Sequence, residues 1–195
     1  MYDRKDLPDL IRHILSNREP HLISDPPPNY KHAGVLIPLL FEDDMHKVIF
    51  TKRTDTVEHH KGQISFPGGA TDDGDRSTEE TALRESQEEI GLDPEDVDIL
   101  GRIDDSFTVA SSFIVHPYVG FVSRAPVFRI SRVEVERVLK VPWNTLVRDY
   151  LENRTYTVES EGMIYETPAF EHNGDVIWGA TARMMENFIE ILNQK

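Results

Sequence analysis

Arg84-Glu85-Ser86-Gln87-Glu88-Glu89-Ile90-Gly91-Leu92 is the stretch that organises the chain. On a helix turning about 100° per residue, Glu85, Glu88 and Glu89 stand at i, i+3 and i+4 and share one face. Leu83, Ser86 and Ile90 fall on the opposite side and can face a sheet. Like charges at helical neighbours repel by about 0.2–0.5 kcal/mol per pair, so something must offset three of them. Arg84, four residues before Glu88, offers one bidentate partner. A hard divalent cation, which takes oxygen ligands, offers another. An isolated E-x-x-E-E is more commonly a solvated helix face. The setting raises this one above that: a Phe66-Pro67-Gly68-Gly69 turn lies shortly upstream. Glycine lets backbone approach closely and leaves carbonyls free. Asp72, Asp73 and Asp75 between the two read as a solvated polar turn.

Working outward, Ser77-Thr78-Glu79-Glu80 has the form of a capping box, which starts the helix at Thr78. Gly91 stops it. Before it, Ala33–Phe41 is a continuous apolar run that fits a buried strand, and Lys47–Arg53 returns after a polar turn. Gln63–Phe66 is a further short strand, and a loop is expected from Pro67. After the helix, Val97–Ile103 and Phe113–Val122 read as strands. Glu134–Lys140 and Trp143–Glu152 read as helices. Met163–Phe170 and Val176–Trp178 flank Asn173-Gly174, a hairpin signal. Ala180–Leu192 closes the chain as a helix. The fold class is α/β, a mixed sheet with helices packed on it. Residues 1–30 are expected to form an N-terminal helix (over 6–16) and a Pro-rich linker, and 31–195 the main domain.

The 195 residues include 21 Lys+Arg against 35 Asp+Glu, a formal net charge of −14. That balance argues against an open basic groove for nucleic acid and against a polybasic membrane anchor. If the substrate is a polyphosphate, a metal cation has to supply the attraction. There is no cysteine, so disulfides, thiolate catalysis and Cys-ligated zinc are excluded. No apolar run reaches the roughly 18 residues of a membrane helix. The N-terminus has no signal-peptide core, and a cytoplasmic location is expected.

Residues 69–92 resemble the signature of the Nudix hydrolases: a glycine, a spacer, a glutamate, then R-E-U-x-E-E-x-G-U, U being apolar. Arg84, Glu85, Glu88, Glu89, Gly91 and Leu92 match the second half. Ser86 replaces the apolar residue, Arg76 stands at the upstream glutamate, and the spacer from Gly69 is one residue longer. The longer spacer is similar to the coenzyme A pyrophosphatase branch, whose second signature is LLTxT(S/A)x₃Rx₃Gx₃FPGG. Thr51, Thr54, Gly62 and Phe66-Pro67-Gly68-Gly69 match it. Arg53 replaces the second threonine, and Glu58 reverses the charge of the arginine. Lys52, Arg53, His59, His60 or Lys61 could supply the missing cation.

The resemblance implies an α/β/α sandwich and metal-dependent cleavage of a diphosphate bond, with Mg²⁺ or Mn²⁺ as cofactor. It assigns Glu85, Glu88 and Glu89, with the Gly69 carbonyl, to the metal, and places Arg84 as their orienting partner. Glu134 is the candidate general base, and Arg53, Gly68 and Gly69 are candidates for substrate contact. Coenzyme A or its acyl derivatives is the first substrate class. Another nucleoside diphosphate derivative (ADP-ribose, a nucleotide sugar, a dinucleotide) is the alternative, and a catalytically silent binding module is the third reading. A homodimer is allowed for; nucleic-acid and membrane partners are not expected.

Overall fold

The computed structural model describes residues 6–24, 28–55, 62–108, 111–160 and 163–194. Glu58, His59, His60 and Lys61 lie outside the described residues.

The long apolar run forms β1 (Lys31–Glu42), and β2 (Met45–Arg53) returns antiparallel to it. Beyond them come β3 (Ile64–Ser65), β4 (Gly68–Ala70), α2 (Thr78–Ile90), β5 (Val97–Arg102), β6 (Ser106–Thr108) and β7 (Phe113–Val122). β8 (Val135–Pro142) and α3 (Trp143–Leu151) follow, then β9 (Thr155–Ser160), β10 (Met163–His172), β11 (Asp175–Trp178) and α4 (Gly179–Asn193). α1 (Asp6–Ser16) precedes them all. The large sheet runs β3-β2-β1-β7-β5, with β4 also on β1, β6 on β7 and β8 on β2. β1 and β7 are parallel, which requires a crossover, and α2 lies within that connection. Every other pairing is antiparallel, so the sheet is mixed. β11-β10-β9 form a second, antiparallel sheet.

β1 reads as continuously apolar because both its faces are covered. Val35, Ile37 and Leu39 point into one core with Leu7, Ile11 and Leu15 of α1, Trp143 and Leu146 of α3, and Met185 and Phe188 of α4. Leu36 and Leu40 point into the other core with Ala82 and Ile90 of α2. Helices therefore cover both faces, and the architecture is the expected α/β/α sandwich. α1 is part of this packing: Arg12 pairs with Asp98, and a Cβ on Gly101 would lie 2.7 Å from the Leu15 Cβ.

Two expectations are corrected. Glu134–Lys140 is not helical; Val135–Pro142 is a strand paired along β2. The buried Val135 and Leu139 are four apart, a spacing that imitates a helix face, and ladder pairing with β2 overrides it. Nor does a loop begin at Pro67. Gly68–Ala70 forms β4 against β1, with Gly69 opposite Gly34.

Candidate active site

The acidic helix is seated by a missing side chain. A Cβ on Gly34 of β1 would fall 2.0 Å from the Thr78 carbonyl oxygen, so the first turn of α2 lies directly on the strand. Ser77 caps that turn, its Oγ accepting from the Glu80 N–H at 3.1 Å. Glu80 reaches back one residue further than a capping box predicts, to the Arg76 N–H at 2.8 Å. At the far end, Gly91 N–H donates to the Gln87 carbonyl at 2.9 Å. Ser86, the departure from the apolar pattern, is buried, and its hydroxyl donates to the Ala82 carbonyl at 2.6 Å. A small self-satisfied side chain thus serves where an apolar one was expected.

With α2 fixed, its carboxylates occupy three environments. Glu88 is open to solvent, 61% exposed. Glu85 is largely buried at 18%. Burial pushes its pKa up, Arg84 opposes this, and Glu88 and Glu134 add to it. Glu89 is 3% exposed, and burial pushes its pKa up to about 8. Arg53 and the Gly68 N–H hold that value down, while Glu85 and Glu134 raise it. Glu89 Oε2 has no hydrogen-bond partner among the described residues. Glu134, in the loop before β8, is near enough for its charge to raise both Glu85 and Glu89. That loop is tied to the end of α2 by Ser131 N–H to the Glu89 carbonyl, 2.8 Å, and Arg129 N–H to the Ile90 carbonyl, 2.9 Å.

Arg84 does more than face Glu88. Its Nε and Nη2 each lie 2.9 Å from an oxygen of Asp75, in a bidentate pair. Nη1 donates to Glu85 at 2.8 Å and approaches Glu88 at 3.4 Å, and Nη2 reaches the Ala70 carbonyl at 3.2 Å. Asp75 is therefore not a solvated turn residue. It is 4% exposed, and the Arg84 guanidinium holds its carboxyl far below the usual range. Sequence reasoning missed it because nine residues separate the pair, with no helical periodicity linking them. Asp72 and Asp73 stay exposed, as expected.

The glycine turn supplies space. A Cβ on Gly69 would lie 2.5 Å from the Glu85 carboxyl carbon. Gly69 stands opposite Gly34, between the Leu36 N–H to Pro67 and Thr71 N–H to His32 bonds. Ladder alternation turns its carbonyl toward β1 rather than toward the carboxylates. Beside the turn opens a cleft of about 280 Å³. Its walls include Val35, Phe66, Phe113, Val115 and Met184, and Arg53, Gly68 and Gly69 stand together along it. The structure thus brings Glu85, Glu89, Arg84, Glu134, Arg53 and the two glycines to one place and leaves Glu88 at its outer edge.

His116 is taken up in a separate network: its Nδ1 meets Asp105 at 2.8 Å and its Nε2 meets His32 at 2.8 Å. Trp143 packs edge-on against Phe188 in the core.

Among the described residues, no three acidic or imidazole side chains already converge on one point in metal-holding geometry. The donors nonetheless suit a hard divalent cation. They are oxygens, one is buried and unpaired, and Gly69 leaves the next carboxylate room.

Comparison with known proteins gives the same direction. The NUDIX domain profile matches residues 30–147. Nudix hydrolase 3 of Caenorhabditis elegans is 31% identical over 92% of this chain and 80% of its own length. An uncharacterized Nudix hydrolase, NudL, of Pectobacterium atrosepticum is 32% identical over 80% of this chain and 79% of its own. Among solved structures, a MutT/nudix family protein from Enterococcus faecalis superposes with a TM-score of 0.55 at 14% identity, covering 100% of this chain and 76% of that one. The Nudix domain of Shewanella oneidensis NrtR, complexed with ADP ribose, gives 0.50 at 20% identity over 70% and 85%. On the profile match and on relatives more than 30% identical over most of both chains, this chain belongs to the Nudix hydrolase family.

Proposed function

We propose that the chain is a Mg²⁺- or Mn²⁺-dependent pyrophosphatase that cleaves the diphosphate of coenzyme A or an acyl derivative. The products would be phosphopantetheine, or its acyl form, and adenosine 3′,5′-bisphosphate. The observation that carries the metal-dependent part is the buried Glu89 oxygen beside Glu85 that is unpaired among the described residues, next to a cleft with an arginine on its wall. Glu85, Glu88 and Glu89 would hold the cation. Such a cation neutralises diphosphate charge and acidifies the attacking water. Arg84, anchored by Asp75, holds Glu85 in place and limits the repulsion among the carboxylates. Glu134 would accept a proton from that water, a role supported by its charge acting on both Glu85 and Glu89. Arg53 stands where it can meet a phosphate oxygen.

Support for coenzyme A comes from Thr51, Gly62 and the Phe66–Gly69 turn at the spacing of that branch, and from the mainly apolar cleft wall, which suits a pantetheine or acyl chain. ADP-ribose and related compounds are the second reading, favoured by the ADP ribose bound to the NrtR domain. The test is a panel of coenzyme A, an acyl-coenzyme A, ADP-ribose, a nucleotide sugar and a dinucleotide, each with Mg²⁺ and with Mn²⁺, with products identified by mass. Cleavage of coenzyme A into the two named products is the expected result. ADP-ribose cut with coenzyme A untouched would replace the first reading with the second.

A further inference from the structure

Positive charge is unevenly shared in the acidic site. The Arg84 guanidinium is committed to Asp75, Glu85, Glu88 and the Ala70 carbonyl. The cation that faces Glu89 comes from β2: Arg53 Nη1 lies 3.8 Å from Glu89 Oε1. That is near enough for an ion pair and too long for a hydrogen bond. Each partner keeps an unused polar atom. Arg53 Nε and Glu89 Oε2 are both buried without a hydrogen-bond partner among the described residues. The same arginine stands on the cleft wall with Gly68 and Gly69. A buried charge normally holds its partner closely, because desolvation is otherwise unrecovered. This pair is instead loosely engaged and borders the space where substrate would lie. Arginine is also the residue that departs from the branch pattern at this position, where threonine is expected.

We propose that Arg53 is a transferable counter-ion: it balances Glu89 while the carboxylates hold no cation, and turns to the substrate's diphosphate once Glu89 is engaged by a divalent cation. The inference rests on the cation-binding role of the carboxylates given under Proposed function. Its physical basis is charge exclusion, since a guanidinium and a divalent cation at the same carboxylate repel each other. Guanidinium chemistry suits both positions, because it stays charged at any working pH and its planar fork matches carboxylate and phosphate oxygens alike. Arg53 is on this account a substrate-positioning cation and a competitor of the metal in the same molecule.

The experiment measures Mn²⁺ binding without substrate, by electron paramagnetic resonance of the free ion, in the wild type, Arg53→Gln and Arg53→Lys. Arg53→Gln is expected to bind Mn²⁺ about fivefold more tightly, the size expected for one charge removed several ångströms away. Arg53→Lys, which keeps the charge, should stay near the wild type. Melting in chelator at pH 9, where the Glu89 carboxyl is ionised in the fold, supplies a second readout: Arg53→Gln should lower the transition in the wild-type background and leave it unchanged in a Glu89→Gln background. With substrate, both variants should raise KM more than they lower kcat, since lysine cannot replace the fork. Equal Mn²⁺ affinity in all three proteins, or an equal melting shift in both backgrounds, would overturn the counter-ion role alone. Absence of Mn²⁺ binding in the wild type would bring down the carboxylate reading and this inference with it. If Arg53→Gln alone does not fold, the double variant with Glu89→Gln should recover the fold, and failure to do so refutes the pairing.

Discussion

Glu89→Gln separates the cost of the acidic site to the fold from its use in catalysis. The side chain is 3% exposed, and its carboxyl titrates near 8 instead of at its ordinary 4.5, burial being the main cause. Between those values the unfolded chain has lost the proton and the folded chain keeps it. Wild-type stability therefore falls as pH rises from about 4.5 to about 8 and levels off above. One pKa unit is worth about 1.4 kcal/mol, so keeping Glu89 ionised in the fold costs up to roughly 5 kcal/mol. Charge coupling with Arg53, Glu85 and Glu134 redistributes part of that, and about 2–4 kcal/mol is the expected gain for the uncharged amide at pH 9. For a chain this long, about 2–4 °C accompanies each kcal/mol. In chelator, Glu89→Gln should melt roughly 5–15 °C above the wild type at pH 9 and nearly with it at pH 5. Activity should meanwhile drop by about 100-fold or more, because the amide is a poor ligand for a hard cation. A stability gap that does not change with pH, or a wild type that gains stability between pH 5 and 9, would refute the buried-charge reasoning.

Other outcomes follow from single contacts. Asp75→Asn leaves the Arg84 fork without its anchor and should destabilise by about 3 kcal/mol in urea unfolding, with activity falling because Glu85 loses its support. Gly69→Ala should retain the fold and lose most activity, since the new methyl would stand 2.5 Å from the Glu85 carboxyl carbon; circular dichroism beside turnover decides it. Gly34→Ala should destabilise far more, because the Thr78 carbonyl 2.0 Å away belongs to the helix backbone and cannot swing aside. Burial lowers the His116 pKa, so His116 resists protonation in the fold. Below about 6.5 His116 should therefore contribute a small loss of stability that partly offsets the Glu89 gain, and His116→Asn should steepen the rise in stability on acidification there.

Most of the fold could be read from apolar periodicity. β1, β2, β5, β7 and the hairpin at Asn173-Gly174 lie where alternation and turn residues place them, and α2 begins and ends at its caps. β8 escaped because Val135 and Leu139 imitate a helix face, and its strand identity depends on pairing with β2 far away in sequence. β6 and β9 were missed because one has only three residues and the other, Thr155–Ser160, is largely exposed with little apolar content. Within the site, helical spacing alone put Glu85, Glu88 and Glu89 on one face. It could not grade them, because the difference between an exposed Glu88 and a buried Glu89 comes from β4 and the loop before β8. Asp75 was invisible for the same reason: only the folded loop carries it back to Arg84.

Crystals soaked in MnCl₂ and recorded at the manganese absorption edge would show whether Glu85 and Glu89 hold a divalent cation. An anomalous peak within coordination distance of Glu89 and Glu85, with Arg53 drawn away from Glu89, is the expected result. Both carboxylates ordered at full Mn²⁺ concentration, with no peak between them and the arginine unmoved, would contradict it.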